Sequence, residues 1–167
     1  MEKKMHWLVW AGGAAVAGVA IDQLTKFWAV NALQVPRPLL GNFLTLQLTY
    51  NSGAAFSLGA GSTWIFTVVA LAACVVIPFF LVKAKGWAAQ LAIAMIWAGA
   101  AGNLLDRLFR EPGVGVGHVV DFINYAGLFI GNVADIELFL GVAALIVIEA
   151  RQGVAGEREA EHSAELE

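Results

Sequence analysis

The chain has 167 residues, of which 59% are hydrophobic and 14% charged, with 18 glycines, a formal charge of −3 and a mean hydropathy of +0.73. A soluble domain carries about 25% charged residues and about 45–50% apolar residues with glycine included, and a soluble fold of this size has too much surface to cover with so few polar groups. A soluble enzyme, a disordered chain and a nucleic-acid binder are excluded, and one integral membrane domain remains.

About 20 apolar residues are needed to cross roughly 30 Å of hydrocarbon as a helix. The first run, Trp7–Ile21, continues through Asp22 and Lys26 and predicts a helix at about 7–30. It follows Glu2-Lys3-Lys4 and has small residues over Ala14–Ala20, so a cleaved signal peptide competes with it. Its continuation into Asp22-Gln23-Leu24-Thr25-Lys26 favours a helix that stays. In the connection that follows, 31–62, apolar residues alternate with Thr and Gln from Leu44 to Tyr50, which predicts a strand with one wet face. Asn51-Ser52-Gly53 ends it as a turn, and a small sheet on the outer membrane face is expected.

The second helix, 63–82, holds no ionisable residue. Cys74 lies alone within it, so no internal disulfide or cysteine zinc site can form, and it reads as a small buried hydrophobe. The third helix, 87–107, has only Gln90 and Asn103 as strongly polar members before Asp106 and Arg107. After a second long connection, 106–126, the fourth helix is expected at 127–148, apolar except for Asn132, Asp135 and Glu137. Residues 1–150, the expected membrane domain, carry equal numbers of acidic and basic groups. The whole −3 lies in 151–167, where Arg151 and Arg158 face five glutamates, and this tail reads as a disordered cytoplasmic extension.

Lys3, Lys4, Lys83, Lys85, Arg151 and Arg158 fall on one side of a four-span arrangement and Arg37, Arg107 and Arg110 on the other, so both termini are expected in the cytoplasm. Ionisable groups inside a span cost about 2.5–3.5 kcal/mol at the bilayer centre on insertion scales and read as functional by default. At about 1.5 Å per residue, Asp22 lies in the outer third of the first helix. Asn103, Asp106 and Arg107 share one face at the outer end of the third. Asn132 and Asp135 sit in the outer half of the fourth, and Asp121 in the second external loop. A straight helix would hold Asp121 and Asp135 about 21 Å apart, and Gly127 offers a break for folding back. Carboxylates and amides thus converge near the outer surface.

Such a cluster has few chemical options. Two carboxylates sharing a site of low dielectric cannot both ionise, so the pair holds one proton and acts as acid and base toward a water and a carbonyl. Plainer readings stand beside this one: an Asp22–Lys26 ion pair one turn apart, an Asp106–Arg107 interface pair and a solvated turn at Asp121. His118 near these aspartates is a weak pointer to a metal.

At these residues the sequence resembles the bacterial lipoprotein signal peptidases (signal peptidase II), which are four-helix intramembrane aspartic proteases. Five blocks over about 20–142 carry the resemblance: Asp22-Gln23-Leu24-Thr25-Lys26, Asn51-Ser52-Gly53-Ala54-Ala55-Phe56-Ser57, Gly102-Asn103-Leu104-Leu105-Asp106-Arg107, Gly117-His118-Val119-Val120-Asp121-Phe122 and Asn132-Val133-Ala134-Asp135. The resemblance implies an all-α membrane protein with a small β-rich extracytoplasmic segment. It implies that Asp121 and Asp135 form a catalytic dyad cutting just before the diacylglyceryl-modified cysteine of a prolipoprotein. It implies substrate-holding or supporting places for Asn51, Gly53, Asn103, Arg107, Asn132, Ala134, Asp22 and Asp106, a surface cradle from the first external loop, and a flap around Asp121. It implies no metal and no organic cofactor. Lipid-modified prolipoproteins and membrane lipid are the expected partners, nucleic acid is not, and a monomer in the bacterial inner membrane is expected.

Two positions depart from the family pattern. Gly131 stands where phenylalanine is usual, with Phe129 two residues earlier as a candidate substitute in packing. Glu137 stands where small or apolar residues are usual, about 200° around the helix from Asp135, so it is expected to face away from the dyad toward lipid. Two rival readings are a proton- or ion-coupled carrier relaying protons through the aspartates, and a non-enzymatic membrane interaction protein docking through its surface sheet. The bare second helix and the lack of an inverted repeat disfavour the carrier.

Overall fold

A computed structural model describes residues 2–41, 43–53 and 63–164, with side chains over 5–41, 43–53 and 63–153. The Ala54-Ala55-Phe56-Ser57 part of the second block lies outside the described residues. The elements in chain order are α1 (Glu2–Ala32), β1 (Arg37–Leu40), β2 (Leu44–Asn51), α2 (Thr63–Lys83), α3 (Trp87–Phe109), β3 (Val119–Tyr125), β4 (Phe129–Gly131) and α4 (Val133–Ala164). Among the described residues, Met5–Ala32, Thr63–Lys83 and Trp87–Phe109 are helical stretches long and apolar enough to cross a membrane. The first part of α4 is equally helical but is interrupted by Asp135, Glu137 and Glu149.

The central helix is α3, which packs against α1, α2 and α4. Its buried face is built of small residues, among them Ala94, Ala98, Gly99, Ala101 and Gly102. Without a hydrophobic drive between helices in lipid, close backbone approach through small residues is what brings them together. A methyl group at Gly99 would run into the Ala134 carbonyl, and one at Gly141 would stand 2.7 Å from the Ala92 carbonyl oxygen. Most of α1 and nearly all of α2 turn apolar side chains outward, as a lipid-facing helix must.

The strands form one antiparallel sheet in the order β1-β2-β3-β4. In the β2–β3 register Thr49 lies opposite Asp121 and Asn51 opposite Val119. Val120 and Phe122 on β3 bury against Ala29 and Leu33 of α1, with Leu46 and Leu48 of β2 packed alongside. This apolar seam ties the sheet to the outer end of α1. Side chains alternate across a strand, so Asp121 faces away from that seam, toward the helix ends.

Three expectations are corrected. Asp121 does not lie in a loop: it sits on β3, flanked by β2 and β4. The run Val119-Val120-Asp121-Phe122 is buried throughout, so it lacks the alternation that marks a half-wet strand. The fourth helix begins at Val133 and not at 127, because Ala126 and Gly127 take positive φ (54° and 78°) in a turn that leads into β4. Finally, α4 runs on to Ala164, so the backbone of the acidic tail is helical to that point where a disordered extension is expected.

Candidate active site

One buried ammonium group ties α1 to α3. Lys26 is fully buried, and its Nζ lies 2.9 Å from Asp22 Oδ2, 2.9 Å from Asp106 Oδ2 and 2.9 Å from Asn103 Oδ1. An ammonium has three donors and no acceptor, so every hydrogen of Lys26 has a partner. Asp22 accepts a further bond at Oδ1 from the Ala134 N–H of α4 (3.0 Å). Asp106 accepts Arg110 Nε at Oδ1 (2.6 Å) and the Val120 N–H of β3 at Oδ2 (3.1 Å). Two buried carboxylates and one lysine thereby pin α1, α3, β3 and the start of α4 together. The ion pair between Asp22 and Lys26 expected from their spacing is present, as one part of this larger unit.

Lys26 also decides how Asn103 points. The Asn103 Oδ1 accepts hydrogen bonds from Lys26 Nζ and from Asn132 Nδ2 (3.2 Å), which turns Nδ2 of Asn103 toward Asp135 Oδ1 (3.0 Å). Asn51 is set in a similar way. Its Oδ1 accepts the Gly53 N–H two residues on (2.7 Å), an Asx turn, so its Nδ2 is left to donate to Asp121 Oδ2 (2.8 Å). Gly53 has φ +89°, and Phe66 lies against it where a side chain would be, so glycine meets both demands.

Asn132 is the third amide. It caps α4: its Oδ1 accepts the Asp135 N–H (3.0 Å) while Asp135 Oδ2 accepts the Asn132 N–H (3.1 Å), a reciprocal capping box. The Asn132 Nδ2 then donates to Asp121 Oδ1 (2.6 Å). All four carboxylate oxygens of Asp121 and Asp135 thus have a donor, and one residue, Asn132, serves both, through its side-chain amide on Asp121 and its backbone N–H on Asp135. Burial pushes the Asp121 carboxyl up to about 6, opposed by the Asn51 bond and reinforced by the charge of Asp135.

Arg107 is buried beside these groups, its guanidinium 5.3 Å from the Phe66 ring centre. Its Nη1 has no hydrogen-bond partner among the described residues. Four carboxylates (Asp22, Asp106, Asp121, Asp135) and three cations (Lys26, Arg107, Arg110) make up the cluster. One proton shared by Asp121 and Asp135 makes it neutral, which is the condition a buried site favours.

The structure therefore brings together Asp22, Asn51, Asn103, Asp106, Asp121, Asn132, Ala134 and Asp135, with Gly53 and Arg107 at the edge. Sequence reasoning assigns no role to Gln23 or Arg110. Gln23 Nε2 bridges Asp22 Oδ2 (3.1 Å), the Gly102 carbonyl (3.0 Å) and Asp106 Oδ1 (3.3 Å). The available signal was spacing: Arg110 lies one helical turn beyond Asp106. Among the described residues no group of three or more His, Cys, Asp and Glu is arranged to hold a metal. Phe129 approaches the vacant side of Gly131, its Cε2 3.4 Å from where a β-carbon would be, and stacks on Tyr125 at 4.5 Å. Glu137 points between helices and not at lipid, as its Oε1 lies against Gly18 of α1.

Comparison with known proteins now bears on this cluster. The profile of the family described as Signal peptidase (SPase) II matches residues 14–151. The chain is 44% identical over 137 residues to the lipoprotein signal peptidase of Bifidobacterium adolescentis, covering 80% of this chain and 73% of that one. It is 40% identical over 139 residues to that of Rhodococcus jostii, covering 80% and 69%. A bacterial membrane enzyme solved by the in meso method at 2.3 Å superposes with a TM-score of 0.74 at 27% identity, over 86% of this chain and 88% of that chain. None of these supports the carrier reading. The chain belongs to the signal peptidase (SPase) II family and is a multi-pass membrane peptidase.

Proposed function

We propose that the protein removes the signal peptide from lipid-modified prolipoproteins by aspartic-protease chemistry, cutting just before the diacylglyceryl-bearing cysteine. The observation that carries the reading is Asn132, whose side-chain amide donates to Asp121 Oδ1 and whose backbone N–H donates to Asp135 Oδ2, in a buried, charge-balanced cluster. One carboxylate takes a proton from a water as it attacks the scissile carbonyl, and the other, protonated, donates to the carbonyl oxygen and later to the leaving amine. Asn51, Asn103 and Asn132 hold the dyad with neutral donors that favour ionised carboxylates without adding charge. Arg107, with a buried terminal nitrogen unpartnered among the described residues, is suited to a substrate backbone carbonyl. Asp22 and Asp106, with Lys26, keep the helix ends in place; Ala134 supplies a backbone N–H to Asp22, and Gly53 fixes the turn that aims Asn51.

In this reading α4 is the fourth span, both termini are cytoplasmic, and the dyad opens at the outer leaflet, where a lipid-anchored substrate arrives sideways and water is at hand. The protein works as a monomer without metal or organic cofactor. The test is cleavage of a purified lipid-modified prolipoprotein in detergent by wild type, Asp121→Asn and Asp135→Asn. Each substitution is expected to lower the rate by at least about a hundredfold, the scale on which a positioned acid or base acts. Cleavage surviving in either variant rejects the dyad, and loss of wild-type activity to a chelator rejects the metal-free mechanism.

A further inference from the structure

A cavity of about 570 Å³ opens beside the C-terminal end of α3, lined by Tyr50, Phe109, Arg110, Glu111, Pro112 and His118. It does not belong to the dyad. Tyr50 lies opposite Val120, whose side chain packs into the α1 seam, and neighbouring strand residues point to opposite faces; Tyr50 and Asp121 thus lie on opposite sides of the sheet.

The walls of this cavity are fixed by bonds within the chain. The Gly115 and Gly117 N–H groups both donate to the Arg107 carbonyl (2.9 and 3.1 Å), and the His118 N–H donates to the Glu111 carbonyl (2.9 Å). Thr67 of α2 donates its hydroxyl to the Gly115 carbonyl (2.7 Å). Arg110 is held by Nε on Asp106, and its two terminal nitrogens make no hydrogen bond among the described residues. A guanidinium held at Nε with free terminal N–H groups is a forked donor set in advance for a phosphate. The His118 ring adds a donor in either protonation state. Glu111 contributes a carboxylate to the lining, and Tyr50 and Phe109 form an exposed aromatic rim, the residue types favoured where membrane meets water.

We infer that this cavity binds the headgroup of an anionic phosphodiester lipid, the phosphate at Arg110 and His118 and a headgroup hydroxyl at Glu111. Apolar rings at the rim beside side chains of both charge signs fit an amphiphile better than a free ion. The position of the cavity at the outer leaflet rests on the four-span orientation proposed above. Because Arg110 also braces Asp106, the bound headgroup presses on the unit that fixes the start of β3, two residues from Asp121.

The test uses the full chain in detergent micelles with phosphatidylglycerol as probe, bound lipid being counted by native mass spectrometry. Occupancy is read apart from cleavage, so failure here is distinct from failure of the dyad. One lipid per chain is expected. Arg110→Gln and His118→Ala are each expected to lower occupancy at least fivefold, while Lys83→Gln/Lys85→Gln, at the far end of the bundle, leaves it unchanged. If Arg110→Gln disturbs the fold through Asp106, His118→Ala decides. Diacylglycerol, which lacks the phosphate, is expected not to bind. Undiminished binding in His118→Ala, loss in the double lysine variant, or displacement by millimolar inorganic phosphate would each overturn the assignment, the last by giving the site to free phosphate.

Discussion

Lys26 controls more of this molecule than any other single side chain. It pairs with two buried carboxylates and, through Asn103, fixes which amide atom meets Asp135. Breaking a buried ion pair by removing one partner costs about 3–5 kcal/mol, because a charge is left without compensation. Lys26→Met is therefore expected to lower the unfolding free energy in detergent by that amount, and to lower cleavage further by freeing the Asn103 amide to rotate. Equal thermal stability in the variant would show the network to be dispensable. Asp121 gives a pH signature at the same scale. Its carboxyl is raised from 3.8 to about 6, first by burial. Between those values the folded chain keeps a proton that the unfolded chain has released, so stability falls as pH rises through about 4 to 6, by on the order of 3 kcal/mol. Thermal unfolding against pH should show this slope in wild type and lose it in Asp121→Asn. In catalysis the proton belongs to the pair, and Asn51→Leu, which removes a donor to the ionised form, should move the basic limb of the rate profile upward.

At the element scale, α4 contains both the most legible and the least legible features. Its start was written in the sequence as Asn132-Val133-Ala134-Asp135, an amide and a carboxylate three apart, which is the spacing of a capping box as well as of one helix face. Periodicity cannot separate the two, so apolar Gly127–Gly131 extends the helix falsely over a turn and a strand. The β3 strand hid for a related reason: a strand buried on both faces shows no alternation, and Asp121 in such a run resembles a loop residue. By contrast β2 was legible from the period of two in its sequence, although its burial does not alternate, and the apolar α2 from composition alone. The cluster itself was visible as polar residues at one depth, but the sequence could not say which amide meets which carboxylate, since that depends on contacts such as Asn51 to Asp121, 70 residues apart. Glu137 is a misfit of α4 that makes a prediction. Its buried Oε2 has no partner among the described residues, and its Oε1 stands 2.7 Å from the place of a Gly18 β-carbon, against the α1 glycine that makes room for it. A buried polar atom without a hydrogen bond costs about 1–3 kcal/mol. Glu137→Leu, similar in volume, should raise the melting temperature and leave cleavage as it was, because Glu137 bonds to no member of the dyad cluster. A lower melting temperature would mean that the carboxyl is held by something that Leu cannot replace.

At the scale of the whole molecule the charges and the helices make one statement about orientation. The membrane body is formally neutral, and its lysines and arginines are unevenly placed: Lys3, Lys4, Lys83 and Lys85 cap one end of the bundle, and Arg37, Arg107 and Arg110 the end that holds the sheet. A bias of this kind sets topology through the short connections. If α4 crosses as α1, α2 and α3 do, the chain begins and ends on the lysine side and the sheet lies outside. The chain is well suited to a direct test, because its only cysteine, Cys74, lies within α2 and can be replaced. In a Cys74→Ala background, single cysteines at Pro36 and Gly113 are expected to react with a membrane-impermeant maleimide added to intact cells, while those at Lys85 and Gln152 react only after the membrane is broken. Labelling of Gln152→Cys from outside would mean that α4 does not span. The dyad at the start of α4 would then lie at the end of a three-helix bundle, and lateral entry of a lipid-anchored substrate between α4 and its neighbours would have to be abandoned. Protection of both inner positions with reaction at both outer ones fixes four crossings and places Asp121 and Asp135 at the leaflet from which such a substrate comes.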